Sequence, residues 1–163
     1  MIDALTRAIG RTVAWLTAAM ALVTVAVVVL RYLFGEGTVA LQELITYAHV
    51  LVIALGMSYA LQSGAHVRVD VIYGRLSRRR QALVDLFGHC AFLLPVAVLI
   101  FWTSLPWVMA SWRIFERSPE VGGLPAVFLL KTLIPVMAVL LALQGLAEIG
   151  RALRALREAP AAS

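Results

Sequence analysis

Lysine is nearly missing from this chain: Lys131 is the only one, against 13 arginines, and nine acidic residues leave a net charge of +5. Cysteine occurs once, as Cys90 inside an apolar run. That excludes an internal disulfide and a thiolate metal cluster, and makes Cys90 a small core residue by expectation. No Gly-rich phosphate loop, HExxH or GxSxG motif occurs, so enzymatic chemistry has no residues to stand on. The arginines sit at the ends of apolar runs rather than interleaved with aromatics on a water-facing surface, which excludes nucleic acid as a partner. Their placement suits topology determinants and anionic lipid headgroups.

What remains is apolar. Hydrophobic residues make up 62% of the 163 and mean hydropathy is +0.92, well beyond a soluble domain. A span needs roughly 20 apolar residues, and four such runs fit, at about 12–34, 40–61, 82–112 and 124–146. The expected fold is one all-α integral membrane domain over 1–163. Residues 1–11 form a short amphipathic start able to lie on the membrane, and the first run is too long for a cleaved signal and should remain as an anchor. The third span should bend at a proline, and Trp102, Trp107, Trp112 and Phe115 mark a headgroup-level aromatic cluster. Between the second and third spans, Val69, Ile72, Tyr73 and Leu76 share a helical face, so 69–76 reads as an interfacial helix, with Ser77 free to cap the third span.

Orientation follows from arginine. Arg7 and Arg11, then Arg68, Arg75, Arg78, Arg79 and Arg80, then Arg151, Arg154 and Arg157 fall on one side; Arg31, Arg113 and Arg117 fall on the other. Both termini, including the polar tail 148–163, should therefore be cytoplasmic. Lys131 can snorkel to the outer interface.

The stretch 42–71 holds the candidate functional residues. Glu43 lies near the outer end of the second span, where an ion pair with Arg31 is more economical than an ion-ligand role. His49, Gly56, Ala60 and Gly64 fall in one helical sector, the last three forming a small-residue ridge for close helix approach. Glu43, Tyr47, Ala54 and Leu61 occupy another sector, so the helix has two contact faces. His66, Arg68 and Asp70 form an ordered polar cluster at the inner end. Asp85 and His89 have the i, i+4 spacing of a hydrogen-bonded pair. His49 and His89 leave open haem ligation in a membrane anchor of a respiratory complex, the rival reading, although no two histidines have local ligand spacing. A small self-sufficient exporter would need an acid at mid-depth, and Glu43 is too shallow.

Arg31-Tyr32-Leu33-Phe34-Gly35, then Gln42-Glu43-Leu44, Leu55-Gly56, and Gly64-Ala65-His66-Val67-Arg68-Val69-Asp70 occur in an order and spacing that resembles the small membrane subunit of TRAP transporters (tripartite ATP-independent periplasmic transporters), the DctQ-like family. The match is close in the first half; the second half agrees in span number and in its Pro-bearing final helix. The resemblance implies a four-helix accessory subunit of the bacterial inner membrane, without catalytic activity or cofactor. It implies two protein partners, a large TRAP membrane subunit and a periplasmic substrate-binding protein. It further implies uptake of organic acids driven by an ion gradient, usually sodium, with substrate and ions held by the large subunit.

Overall fold

A bilayer interior offers backbone N–H and C=O groups no water, so long runs of Leu, Val and Ala there must satisfy themselves as helices. The computed structural model describes residues 2–35, 37–65 and 73–158, with the side chain of Leu5 excepted. Four helices in it are long and apolar enough to cross a membrane: α1 (Ile2–Leu33), α2 (Val39–Gln62), α3 (Arg78–Arg113) and α4 (Val127–Glu158). The chain is an all-α, four-helix membrane bundle.

Helix α1 has 32 residues, about 48 Å at 1.5 Å per residue, and is longer than the hydrocarbon core. The amphipathic start is therefore not a separate surface helix. Nothing between Ile2 and Thr12 breaks the hydrogen-bond ladder, and Thr6 and Gly10 are buried against the bundle. Gly10 packs under the Tyr59 ring so closely that a Cβ there would meet ring carbons. Helix α2 ends in a glycine-dependent turn. Gly64 sits at φ +68°, and the Ala65 N–H bonds the Ala60 carbonyl at 3.0 Å, closing the helix C-terminus. A side chain at Gly64 would be strained by that backbone, so the residue is a helix stop and not the third rung of a packing ridge.

Helix α3 runs through 36 residues but is not uniform. Residues His89–Leu93 form a π turn, and the Leu94 N–H reaches back to the His89 carbonyl. Pro95 follows within the first turn of the next α segment, Leu94–Arg113. It has no N–H, and its ring would collide with the carbonyl four residues back; the wider turn relieves both problems. The irregularity thus precedes Pro95, while the α segment continues across Pro106. Cys90 lies in this π turn and is exposed, not a core residue. Ser77 occupies the N-cap position of α3, but its hydroxyl makes no capping bond; its carbonyl accepts from the Gln81 N–H. The polar cluster of His66, Arg68 and Asp70 and the first half of the expected interfacial helix, 69–72, fall outside the described residues.

Helix α4 packs against all three others, while α1 rests chiefly on α2 and α3 chiefly on α4. The core is thin and made of small groups: Ala54, Ala82, Ala97, Ser58, Ser111, Ala138 and Gly145 are buried. Small residues let helices approach without a hydrophobic driving force. At Gly145 a Cβ would collide with the Leu93 side chain, so α4 accepts the π turn of α3 by having no side chain there.

Candidate functional site

The polar side chains gather at the two ends of the bundle. At the end holding the α1–α2 and α3–α4 connections, Glu43 opens α2 and is half-buried. Its Oε2 accepts the Leu124 backbone N–H at 2.6 Å, and its Oε1 accepts the Ser118 hydroxyl. Leu124 returns its carbonyl to the Ser118 N–H at 3.1 Å, so one carboxylate ties the α3–α4 connection onto the start of α2. Arg31 is exposed and makes no ion pair with Glu43. The economical pairing read from the sequence fails because two uncharged donors of the α3–α4 connection, the Ser118 hydroxyl and the Leu124 N–H, take the carboxylate.

Beside this clasp, Lys131 Nζ donates to Glu116 Oε2 at 2.5 Å and lies 4.2 Å from the centre of the Trp107 ring. Both contacts favour the ammonium. The hydrogen bond from Lys131 holds the Glu116 carboxyl below the usual carboxylate range. Trp112 donates from its indole N–H to Thr132 Oγ1 at 2.8 Å and stacks edge-on with Phe115 and Phe128. Of the predicted aromatic cluster, Trp112 and Phe115 meet, joined by Phe128, whereas Trp102 projects outward with 73% exposure.

The opposite end is held by a network that the sequence reading missed. Gln144 is fully buried at 0% exposure. It accepts from the Thr6 hydroxyl at 2.9 Å and donates to Glu148 Oε1 at 3.1 Å. Arg151 donates to Asp3 Oδ1 at 2.8 Å and to Glu148 Oε2 at 3.0 Å. Gln62 donates to the Asp3 carbonyl at 3.0 Å. Helices α1, α2 and α4 are thereby fastened by residues far apart in sequence. The bond from Arg151 holds the Asp3 carboxyl below its ordinary range, and Glu148 in turn raises the Arg151 pKa. The available signal was Gln144 itself, an amide deep in an apolar helix, with Glu148 and Arg151 on the same face one and two turns later.

On α3, Asp85 and His89 meet differently from the expected pair. The His89 ring is buried and its Nδ1 lies 2.5 Å from the Asp85 backbone carbonyl. A carbonyl can only accept, so this nitrogen carries the proton. The Asp85 carboxylate instead accepts from the Tyr73 hydroxyl at 2.7 Å. These residues line a cavity of about 280 Å³ between α3 and α4, together with Arg78, Glu148 and Arg151. Among the described residues, no three His, Cys, Asp or Glu side chains are placed to hold a metal ion.

The middle of α2 presents the sector predicted for His49, Gly56 and Ala60 outward. Gln42, Thr46, His49 and Ile53 are all exposed along it. Gly56 lies at its edge, where an added Cβ would make only ordinary contact with Val13. The second sector faces inward, with Ala54 and Leu61 buried and Glu43 and Tyr47 half-buried. His66, Arg68 and Asp70 lie outside the described residues.

Comparison with curated proteins returns no match. The family model described as tripartite ATP-independent periplasmic transporters, DctQ component, matches residues 20–155, a stretch running from the C-terminal part of α1 through nearly all of α4. Most of the chain is covered, and the chain belongs to the DctQ-component family of TRAP transporters.

Proposed function

We propose that this subunit is a fixed scaffold, holding a large membrane subunit in place while that subunit carries substrate. The carrying observation is where the polar groups are used. Glu43, Asp3, Gln144, Glu148 and Arg151 are engaged in fastening helices to one another at the two ends. Between those ends the flanks are exposed and largely apolar, including Leu22, Val25, Val98 and Leu99, with Thr46 and His49 of α2 exposed among them. A transport path would call for polar groups or broken helices near mid-depth, lining a cavity. The π turn of α3 is packed against Gly145 of α4 and serves the helix contact instead.

On this reading the subunit works with a periplasmic substrate-binding protein, and uptake of an organic acid is driven by an ion gradient, sodium being the expected ion. Both termini face the cytoplasm, following the arginine distribution. Arg68 and Asp70, with His66, fix the exit from α2; unchanged assembly and uptake in Arg68→Ala and Asp70→Ala would refute that role.

Co-expression tests the scaffold reading. The tagged subunit should retain the large membrane subunit through detergent purification, and liposomes should take up substrate only with both chains, the binding protein and the gradient. Uptake by this chain alone would overturn it.

A further inference from the structure

We infer that the cavity between α3 and α4 holds the headgroup of a phospholipid bearing a primary ammonium, with the ammonium on His89 and the phosphate on Arg78 and Arg151. The site is made by this chain alone and does not depend on the scaffold reading.

His89 supplies the first observation. Its side chain is buried, at 8% exposure, and lines the cavity. The Nδ1 proton goes to the Asp85 carbonyl of its own helix, so in the neutral ring Nε2, on the far side, is a lone-pair acceptor. Among the described residues nothing donates to it, and a buried acceptor without a donor is costly. The cavity measures about 280 Å³, against the roughly 10–15 Å³ that one water needs. It therefore admits a group of several atoms.

Charge supplies the second. Helix α3 opens with Arg78, Arg79 and Arg80, has no acidic residue in its first turn and receives no side-chain cap from Ser77. A helix N-terminus already carries partial positive charge, so cations placed there call for an anion. Among the described residues Arg78 makes no hydrogen bond or ion pair, and it lines the cavity. Arg151 lines it too, and its bonds to Asp3 and Glu148 leave guanidinium N–H groups for a further acceptor. Asp85 and Glu148 share the same walls. They disfavour a bare anion and favour a cation beside it, so the lining complements a zwitterion.

Depth decides for a lipid over a soluble zwitterion. From 90 to 112 α3 has no Asp, Glu, Lys, Arg or His, and from 132 to 147 α4 has none. The hydrocarbon core, about 30 Å thick, lies along those stretches. The cavity residues, between 78 and 89 on α3 and between 148 and 155 on α4, stand beyond it, from headgroup level outward. Phe92 and Leu146 are exposed about one turn toward the core, which gives acyl chains a surface to follow.

Native mass spectrometry of the delipidated full-length chain tests this, with lipids of matched acyl chains added one at a time. Phosphatidylethanolamine should bind roughly tenfold to a hundredfold tighter than phosphatidylcholine, whose quaternary nitrogen has no N–H, the range for one charge-assisted hydrogen bond. Phosphatidylglycerol, which has no cation, should also bind more weakly. Equal binding of phosphatidylethanolamine and either other lipid would overturn the ammonium contact, and no bound phosphatidylethanolamine would leave the cavity to water and overturn the site. Glycerophosphoethanolamine binding as tightly as the lipid would overturn the lipid as the source of the headgroup. His89→Leu should abolish the preference for phosphatidylethanolamine while leaving phosphatidylcholine binding unchanged; a merely structural role would weaken both alike. Arg78→Gln, at an exposed position, should weaken both lipids severalfold, whereas Arg80→Gln, outside the cavity lining, should weaken neither. Equal losses in the two arginine variants would refute the site whether or not His89→Leu folds.

Discussion

Glu43 separates two accounts of how its end of the bundle is held. If its role were the ion pair with Arg31, neutralising either residue would be equivalent. The structure gives its two oxygens to Ser118 and the Leu124 N–H instead. Glu43→Ala should therefore lower the melting temperature of the purified protein, the loss of a partner for a half-buried N–H costing about 1–3 kcal/mol, whereas Arg31→Ala should leave it unchanged. Equal effects would restore the ion pair. At the other end, Asp3 has a depressed pKa because Arg151 bonds its carboxylate. A depressed folded value means the stabilisation is present above the unfolded pKa of about 4 and is lost as pH falls through the lower folded value. The Asp3 side chain is 38% exposed, so screening keeps the contribution to about 1 kcal/mol or less. Melting temperature measured below pH 4 should fall less steeply in Asp3→Asn than in the native chain; identical slopes would show that the pair contributes nothing.

At the scale of elements, α3 and α4 meet where one lacks regular geometry and the other lacks a side chain. Leu93 closes the π turn and projects into the space left at Gly145. Gly145→Ala should destabilise the bundle, overpacking costing about 1–3 kcal/mol, and adding Leu93→Ala should recover part of the loss. Additive effects in thermal melts would mean the residues do not meet. The contrast with the sequence reading is physical. Four helices were legible because bilayer thickness fixes how long an apolar run must be. The π turn was not, since Pro95 announces a disturbed ladder without saying whether it will kink or widen. Gly64 was misjudged because its helical phase matched Gly56 and Ala60, although a glycine following Gln62 and Ser63 equally suits a helix stop. Glu43 was recognised as an end-of-bundle residue, but its partners lie about eighty positions away. Asp3 and Gln144 likewise become neighbours only after α1 and α4 have folded. Length and periodicity are local properties; the clasps are not.

For the whole molecule, the two clasps give the subunit distinguishable ends, and the arginine distribution carries the orientation proposed for them. The end carrying Asp3, Gln62 and Arg151 also carries Arg7, Arg11, Arg78, Arg79, Arg80, Arg154 and Arg157. The Glu43 end carries Arg31, Arg113 and Arg117, with Glu116 and Glu120 beside them. The proposed orientation puts the arginine-rich end on the cytoplasmic side, and with it the α3–α4 connection, with its Ser118 and Leu124 contacts to Glu43, toward the periplasm. On the proposed function, a scaffold meeting a soluble periplasmic protein and anchoring a membrane partner needs a rigid outer loop, and the α3–α4 connection is fastened by a carboxylate of α2. Cysteine labelling reads the orientation directly. In a Cys90→Ser background, Arg117→Cys should react with a membrane-impermeant maleimide in intact cells, while Arg154→Cys should react only after permeabilisation. The reverse pattern would invert the subunit and put the Glu43 clasp in the cytoplasm. The helix packing would then stand, but the outer loop could no longer serve the periplasmic partner.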